Sequence, residues 1–545
     1  MHRKSRRVAS TAILILVAAW TARAAADSAA IEFADAGTSW GLTDALHGIM
    51  AHAAACGDFD NDGDLDLFVG NFSDRPSDAY EGGRGPIPNL LLLNEGRRFR
   101  PADEPAIAIR ARTSGAVFAD LDNDGDLDLY VTNNSKRRGL RAPNQLLANE
   151  GADRRESEEG RLPTRPTGAW RDVSAGNGAC PIMGGRSIGV LDADGDGLLD
   201  LLVAEDKWAG SQSRLFRNLG GLQFEDVSAR AGLPESLPGL GVVTPDLNLD
   251  GRPDLFVSQA NRLFLSRADG AWREGDSAAF QYAPVNGEDS PAGVACADLD
   301  RDGDLDIVVV DHGQPARQHV FLNEGLREGE PRFREVSVAV GVGYRFPSWT
   351  ADRVHLKHAH VEIADLDNDG WPDICVAATF RDGDRSRPFV CRNLGVRDGL
   401  VRFAAPPVQQ AEAYFPAGPI ADYDRDGRLD VFFASWRSDG PSRFFLNRSP
   451  QRHWIDVRVV GRTINRMGIG ARVSVYEAGK AGERSALLGC REVGIGDGFC
   501  TGHEAVCHFG LDDRTRCDVE VTLPFGRAVI RRRDVAADQV LSVSE

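Results

Sequence analysis

The chain of 545 residues carries 63 Lys and Arg against 81 Asp and Glu, a formal net charge of -18, with 42% hydrophobic and 26% charged residues. This size and composition suit a globular chain able to bury a sizeable core, and the acidic balance argues against a nucleic-acid partner, because neutralising phosphates requires a basic surface. Gly (59) and Pro (27) are frequent, which points to many tight turns and short strands rather than long helices.

Residues 1–26 combine a basic head (Arg3, Lys4, Arg6, Arg7), an apolar run from Ala12 to Trp20 and an end of small residues. The pattern predicts a secretory signal peptide cut after Ala24 or Ala26. The apolar run is shorter than the roughly 20 residues a span requires, so no transmembrane span is expected in the mature chain. The protein is therefore expected to be secreted, at the cell surface or in the periplasm, where calcium is available and disulfides persist.

From residue 58 an acidic nonapeptide of the form DxDxDGxxD recurs seven times, beginning at Asp58, Asp120, Asp192, Asp246, Asp298, Asp365 and Asp422. Each copy runs into a β-branched or aromatic segment (LDLFV, LDLYV, LDLLV, PDLFV, LDIVVV, PDICV, LDVFF), and a second apolar segment follows that ends in Asn or a Gly turn, as in NLLLLNEG from Asn89. These read as strands. Seven copies of a unit that cannot bury its own face predict an all-β chain, a seven-bladed β-propeller over residues 27–450. Polar, Gly- and Pro-rich insertions at 75–88 and 152–168 are expected to be loops.

Carboxylates at positions 1, 3, 5 and 9 with a turn-permitting Gly at position 6 form an oxygen-only cage suited to calcium. The expected side-chain ligands are Asp58, Asp60, Asp62 and Asp66 in the first loop, Asp120, Asp122, Asp124 and Asp128 in the second, and Asp192, Asp194, Asp196 and Asp200 in the third. Asp246, Asn248, Asp250 and Asp254 follow in the fourth, Asp298, Asp300, Asp302 and Asp306 in the fifth, Asp365, Asp367, Asp369 and Asp373 in the sixth, and Asp422, Asp424, Asp426 and Asp430 in the seventh. The position-7 backbone carbonyls of Asp64, Asp126, Leu198, Arg252, Asp304, Trp371 and Arg428 complete the set. Up to seven structural Ca2+ ions are expected, with the fourth site weakest because Asn248 removes a charge. An EF-hand is excluded: its twelfth position is a bidentate Glu, whereas Val69, Val131, Val203, Val257, Val309, Val376 and Phe433 stand there.

Residues 451–545 alternate as strands do in HWIDVRVV, ARVSVY and VEVTL, with Gly turns between, and predict a small β-sandwich packed against the last blade. Together the acidic repeats and the tail motifs NRMGIGARVSVY, REVGIGDGFC, CHFGL and VEVTLPFGR resemble FG-GAP or VCBS repeat proteins, the calcium-loop propellers also found in integrin alpha chains, followed by an ASPIC/UnbV domain. The combination is similar to the cartilage acidic protein 1 family. Leu523 departs from that pattern, which usually places a Trp before the Pro-Xaa-Gly turn. The resemblance implies extracellular calcium binding and an adhesion or matrix-type interaction, and it implies no known reaction.

Nine cysteines in an exported chain predict two disulfides among Cys490, Cys500, Cys507 and Cys517, their connectivity open, and Cys375 and Cys391 in successive strands are a further candidate pair. Cys56 and Cys296 read as small buried hydrophobes. CTGHEAVCH offers Cys500, His503, Cys507 and His508 as a zinc candidate, though it lacks a paired finger pattern, and His355, His358 and His360 in RVHLKHAHVEI are a transition-metal or ligand candidate, His358 and His360 on one face of a strand. Ser187 in GRSIG matches a hydrolase elbow but runs into a calcium loop, and reads as strand. No catalytic signature emerges. The favoured function is a non-enzymatic calcium-binding protein that engages an extracellular protein or glycan, with a glycan-active enzyme using the propeller funnel and a subunit of a surface assembly as alternatives.

Overall fold

The computed structural model describes residues 31–80, 85–135, 142–151, 170–282, 290–312, 317–343, 359–406 and 415–545. The expected signal peptide, the 152–168 insertion, His355 and His358 lie outside the described residues. No helix among those described is long and apolar enough to cross a membrane.

The chain is all-β, and its repeats fold as consecutive antiparallel sheets of four strands. The first is built from Ala51–Gly57, Asp66–Asn71, Leu90–Asn94 and Phe99–Pro101, and the pattern repeats through the sheet of Val361–Ala364, Asp373–Asp382, Arg385–Arg397 and Leu400–Ala404. The seventh sheet takes its outer strand from the other end of the repeat region: Phe33–Asp35 pairs antiparallel with Arg443–Asn447. Each acidic window connects the first two strands of its sheet, and in six of the seven its ninth residue opens the second strand, as Asp66 pairs with Gly57.

The apolar runs that follow the aspartates are buried on both faces, which explains why they do not alternate with polar residues. Leu67 and Val69 enter the core shared with the seventh sheet, while Phe68 enters the core shared with the second. The same two-faced geometry corrects the cysteine expectation. Cys375 packs with Val431 and Phe433 of the seventh sheet and Cys391 with Val308 and Val320 of the fifth, on opposite faces. They cannot bridge, and all nine cysteines are free thiols.

The tail forms two facing sheets, one of His453–Val460, Cys507–Asp512 and Gln539–Ser544 and one of Arg472–Glu477, Leu487–Glu492, Arg516–Thr522 and Val529–Ala536. Ile455, Val457, Val473, Val475, Val519 and Val543 fill the space between them, in a core continuous with Ile188 and Val190 of the third sheet. Packing against the last sheet alone was expected; the tail instead reaches every sheet.

It does so through residues 494–503, which run along the first strands of the sheets and the residues beside them. Thr501 and Gly502 add a short parallel strand to Ala54 and Ala55 of the first sheet. A Cβ on Gly502 would lie 2.7 Å from Ala116 O of the second. Cys500 N donates to Ser187 Oγ of the third at 2.9 Å, and a Cβ on Gly241 of the fourth would lie 2.8 Å from Gly498 O. Gly498 exchanges backbone hydrogen bonds with Val294 of the fifth at 2.7 and 3.1 Å. Phe499 N donates to Nδ1 of His360, beside the sixth sheet, at 3.0 Å. Gly418, beside the seventh, donates its N–H to Thr501 Oγ1 at 3.1 Å. The glycines of GIGDGFCTG supply the close backbone approach this threading requires.

Candidate metal centre

Each window folds as one tight loop. Position 4 is left-handed in all seven (Asn61, Asn123, Gly195, Leu249, Arg301, Asn368, Arg425; φ 54 to 79°), and the position-6 glycine has φ 83 to 100°, a conformation that a Cβ would strain. The turn aims backbone donors at the carboxylates. The first aspartate accepts the position-6 N–H through Oδ2 at 2.7 to 3.1 Å in every loop. The fifth accepts the position-7 N–H through Oδ1 at 2.8 to 3.1 Å.

The ninth aspartate is committed to the backbone more fully than its expected ligand role implies. Its Oδ1 accepts the N–H of one residue of the third strand (Asn94, Asn149, Asn218, Ser266, Asn323, Asn393, Asn447) at 2.7 to 3.0 Å. In six loops its Oδ2 accepts the position-2 N–H at 2.8 to 3.2 Å. Carboxylate oxygens converge within 4.8 Å in the triads Asp58/Asp60/Asp62, Asp120/Asp122/Asp124, Asp298/Asp300/Asp302, Asp192/Asp194/Asp200 and Asp365/Asp367/Asp373, so the ninth residue joins the last two of these. Position-7 side chains work elsewhere: Asp126 accepts Asn61 Nδ2 at 2.8 Å, and Trp371 lies under the Arg301 guanidinium at 3.7 Å.

Burial and neighbouring carboxylates push Asp120 and Asp365 up to about 7 and Asp298 to about 8, so these groups resist ionisation unless a positive charge joins them. In five loops a carboxylate oxygen is sealed from solvent with no hydrogen-bond donor: Asp58 Oδ1, Asp120 Oδ1, Asp300 Oδ1, Asp367 Oδ1 and Asp424 Oδ1, with Asp66 Oδ2 besides. Orphaned hard oxygens in a crowded acidic cage are the donor set a divalent cation such as calcium satisfies.

Adjacent loops are tied to one another by the residues between the ligands. Asn123 Nδ2 donates to Gly197 O at 2.9 Å, Arg301 Nε to Gly370 O at 3.0 Å, Asn368 Nδ2 to Gly427 O at 2.7 Å, and Arg425 Nε pairs with Asp64 at 3.3 Å. The asparagines of the third strands link backwards. Asn149 reaches Phe59 O, Asn218 Leu121 O, Asn323 Leu247 O, Asn393 Leu299 O and Asn447 Leu366 O at 2.7 to 3.4 Å, and Asn94 reaches Tyr423 O at 3.4 Å. The Asn of each NEG or NLG turn, which the sequence marks only as a strand end, is thus a buried staple between sheets.

The remaining candidates are pulled apart. Cys500 lies in the core of the first and seventh sheets, Cys507 in the tail core, and His503 Nε2 faces Glu362 at 3.0 Å, so no zinc cluster assembles from them. His360 is buried, with Nδ1 accepting Phe499 N–H and Nε2 2.7 Å from Glu362. Burial would raise the Glu362 pKa, yet His503 and His360 hold it at about 2. Ser187 is buried and accepts the Cys500 N–H, as a strand residue.

His508 presents both ring nitrogens to oxygens, Nδ1 to Asp456 Oδ1 and Nε2 to Asn368 Oδ1, each at 2.7 Å. Asn368 is fixed in that orientation by its Nδ2 bond to Gly427 O, so both imidazole nitrogens donate and the ring is cationic. Burial lowers the His508 pKa, but the Asp456 charge and hydrogen bond outweigh it and the net shift is upward. A raised folded-state pKa contributes stability that is full below the unfolded value and is lost as pH rises through the folded one. His508→Gln is therefore expected to cost more stability at pH 5.5 than at pH 9, read from urea unfolding of both proteins at each pH. An equal cost at both would remove the imidazolium from the account.

A family model described as FG-GAP-like repeat matches residues 58–131, 192–257, 246–309 and 365–433, and one described as ASPIC and UnbV matches residues 461–545. The chain is an FG-GAP-like repeat protein with an ASPIC and UnbV domain. Distant homology extends along most of it: cartilage acidic protein 1 of Homo sapiens is 27% identical over 538 residues, covering 91% of this chain and 72% of the relative. The Mus musculus protein is 27% identical over 533 residues, covering 91% and 73%. Among solved structures, the BP39L lectin from Burkholderia pseudomallei matches at 11% identity and TM-score 0.38, covering 73% of this chain and 99% of the lectin. The exotype rhamnogalacturonan lyase YesX matches at 13% and 0.34, covering 73% and 72%. The acidic loops fall inside the FG-GAP-like matches, and the threading segment 494–503 belongs to the ASPIC and UnbV domain.

Proposed function

We propose that the sheets close into a seven-bladed β-propeller held by calcium in its aspartate loops, and that the protein is an exported, non-enzymatic binding protein for an extracellular protein or glycan. The observation that carries the calcium reading is the set of buried carboxylate oxygens without donors, one or more in each of five loops. Closure is supported by the outer strand Phe33–Asp35 on the seventh sheet, by the core that Ala417 and Phe432 share with Leu67 and Val69, and by the Asn94 staple from the first sheet to Tyr423. Calcium supplies positive charge and oxygen coordination; the aspartates hold it, and the position-4 and third-strand residues fix the loops around it.

Binding is preferred to catalysis because residues 494–503 run along the first strands of the sheets, where a funnel site would need room for substrate. The outer loops are left to engage a partner. The test is an array of extracellular glycans and proteins probed with calcium-loaded and EDTA-stripped protein. Calcium-dependent capture without turnover is expected. Product release from a captured glycan would replace the binding reading with an enzymatic one.

A further inference from the structure

We propose that calcium fills five of the seven loops and that the protein's own groups hold the third and fourth. The inference rests on the calcium reading above and narrows it.

In the third loop seven of the eight carboxylate oxygens accept a hydrogen bond, and the eighth, Asp194 Oδ2, is in ion-pair contact with Arg217. Asp192 accepts Gly195 N and Gly197 N at 2.8 and 3.0 Å. Asp194 accepts Asp196 N at 3.3 Å and meets Arg217 Nε at 2.6 Å. Asp196 accepts Leu198 N at 2.9 Å and Arg217 Nη2 at 3.1 Å. Asp200 accepts Ala193 N and Asn218 N at 2.8 and 2.7 Å.

The fourth loop is closed in the same way. Asp246 accepts Asp250 N and Gly251 N at 3.1 and 2.7 Å. Asp250 accepts Arg252 N at 3.0 Å, Arg252 Nη2 at 2.8 Å and Asn248 Nδ2 at 3.2 Å. Asp254 accepts Leu247 N at 3.1 Å and Ser266 N at 2.8 Å. Among the described residues these two loops contribute no donorless buried oxygen, whereas the other five all do, and in the third loop Asp194 and Asp196 are exposed to solvent. Arginine alone does not make the difference. Arg392 and Arg452 also reach the sixth loop, but both take Asp367 Oδ2 and leave Oδ1 bare. In the third and fourth loops the guanidinium lowers the net ligand charge that sets cation affinity, and Asn248 lowers it again.

The same seam is where both systems of links between loops are interrupted. Position 4 is Gly195 or Leu249, with no polar side chain to reach forward, and Ser266 stands where six other sheets place the stapling Asn. The C-terminal domain fills the gap. Phe525 N donates to Gly251 O at 2.6 Å, Arg527 Nη2 donates to Gly195 O at 2.6 Å, and Glu492 accepts Asp246 N at 2.9 Å. Arginine and backbone donors thus occupy the carboxylates of these two loops, and the tail ties the loops in where the side-chain links are missing.

The test is the calcium content of the intact chain, measured by elemental mass spectrometry after equilibration at about 1 mM calcium, the weak end of the extracellular range. Five ions per chain are expected. Asp122→Asn, Asp300→Asn and Asp367→Asn are each expected to lose one ion, while Asp194→Asn and Asp250→Asn keep all five. Seven ions in the wild-type chain, or the loss of one in either of the last two variants, would overturn the proposal and leave calcium binding standing. A chain that holds no calcium would sink the calcium reading itself. The wild-type count decides the matter even if a variant fails to fold.

Discussion

Stripping calcium with EDTA is expected to lower the melting temperature by about 6 °C and to leave the fold open to proteolysis between sheets. A ligand at tenfold over its dissociation constant stabilises the state it binds by about 1.4 kcal/mol, and extracellular calcium modules bind at roughly 0.1 to 1 mM. Five such sites contribute roughly 7 kcal/mol, comparable to the whole margin of a typical domain. An unfolding entropy of about 2.1 cal/mol/K per residue over this chain converts that energy to the stated shift. The effect has two parts with one sign. Removing the ions deletes a favourable interaction, and it also leaves Asp120, Asp298 and Asp365 crowded in buried surroundings, where their pKa values of about 7 to 8 mark the cost of charging them alone. The check is differential scanning calorimetry with and without chelator, repeated after calcium is restored. A melt that does not move in excess EDTA would mean that the loops are held by their hydrogen bonds alone.

What the sequence discloses and what it hides divide along a physical line. Residues whose role depends on spacing within one loop were legible: the DxDxDG offsets place Asp58, Asp60 and Asp62 together because a left-handed position 4 and a glycine at position 6 turn the chain there. The strands were legible for the same reason, since each apolar run follows its loop at a constant offset. Roles that depend on a distant partner were hidden. Cys375 and Cys391 lie on neighbouring strands, but only the register, which sets Cys391 opposite Ile374, shows that they face opposite sides. Asn218 looks like a turn residue until Leu121 O, 97 positions away in the chain, is seen to accept from it. The clearest miss is the tail. GIGDGFCTG reads as loose glycine-rich turns, and a glycine that exists for close approach looks the same in sequence as one that exists for flexibility. The breaks in the repeat were on the page from the start, in Gly195, Leu249 and Ser266, but a departure from a pattern gains meaning only when its neighbour is known.

The threading segment should be the least forgiving stretch of the chain, and adjacent glycines within it provide their own control. A Cβ placed on Gly494 meets nothing within 4 Å, and the residue is exposed. A Cβ on Gly496, two residues on, would collide with the backbone carbonyl of Ile188 in the third sheet. Backbone cannot rotate aside as a side chain does, so the segment must shift as a unit. At Gly498 two penalties combine: φ is +85°, and a Cβ would lie 2.9 Å from Glu362 Oε1 and closer still to the His360 ring. The left-handed conformation alone costs about 1 to 2 kcal/mol for a residue with a side chain, and a β-branched one has no room to relax. Gly494→Ala is therefore expected to stay within about 0.5 kcal/mol of the parent. Gly496→Val and Gly498→Val should lose about 4 kcal/mol or more, the range reserved for overpacking and forced backbone strain. The loss should be cooperative across the chain, because moving this segment breaks the Thr501 and Gly502 pairing to the first sheet, the Val294 bridge to the fifth and the His360 contact beside the sixth together. Urea unfolding followed by tryptophan fluorescence reads the stability, and limited proteolysis reads whether cleavage begins within residues 494–503. Tolerance of valine at both 496 and 498 would mean that the segment is not held among the sheets, and the tail would then be a separate module resting on the repeats.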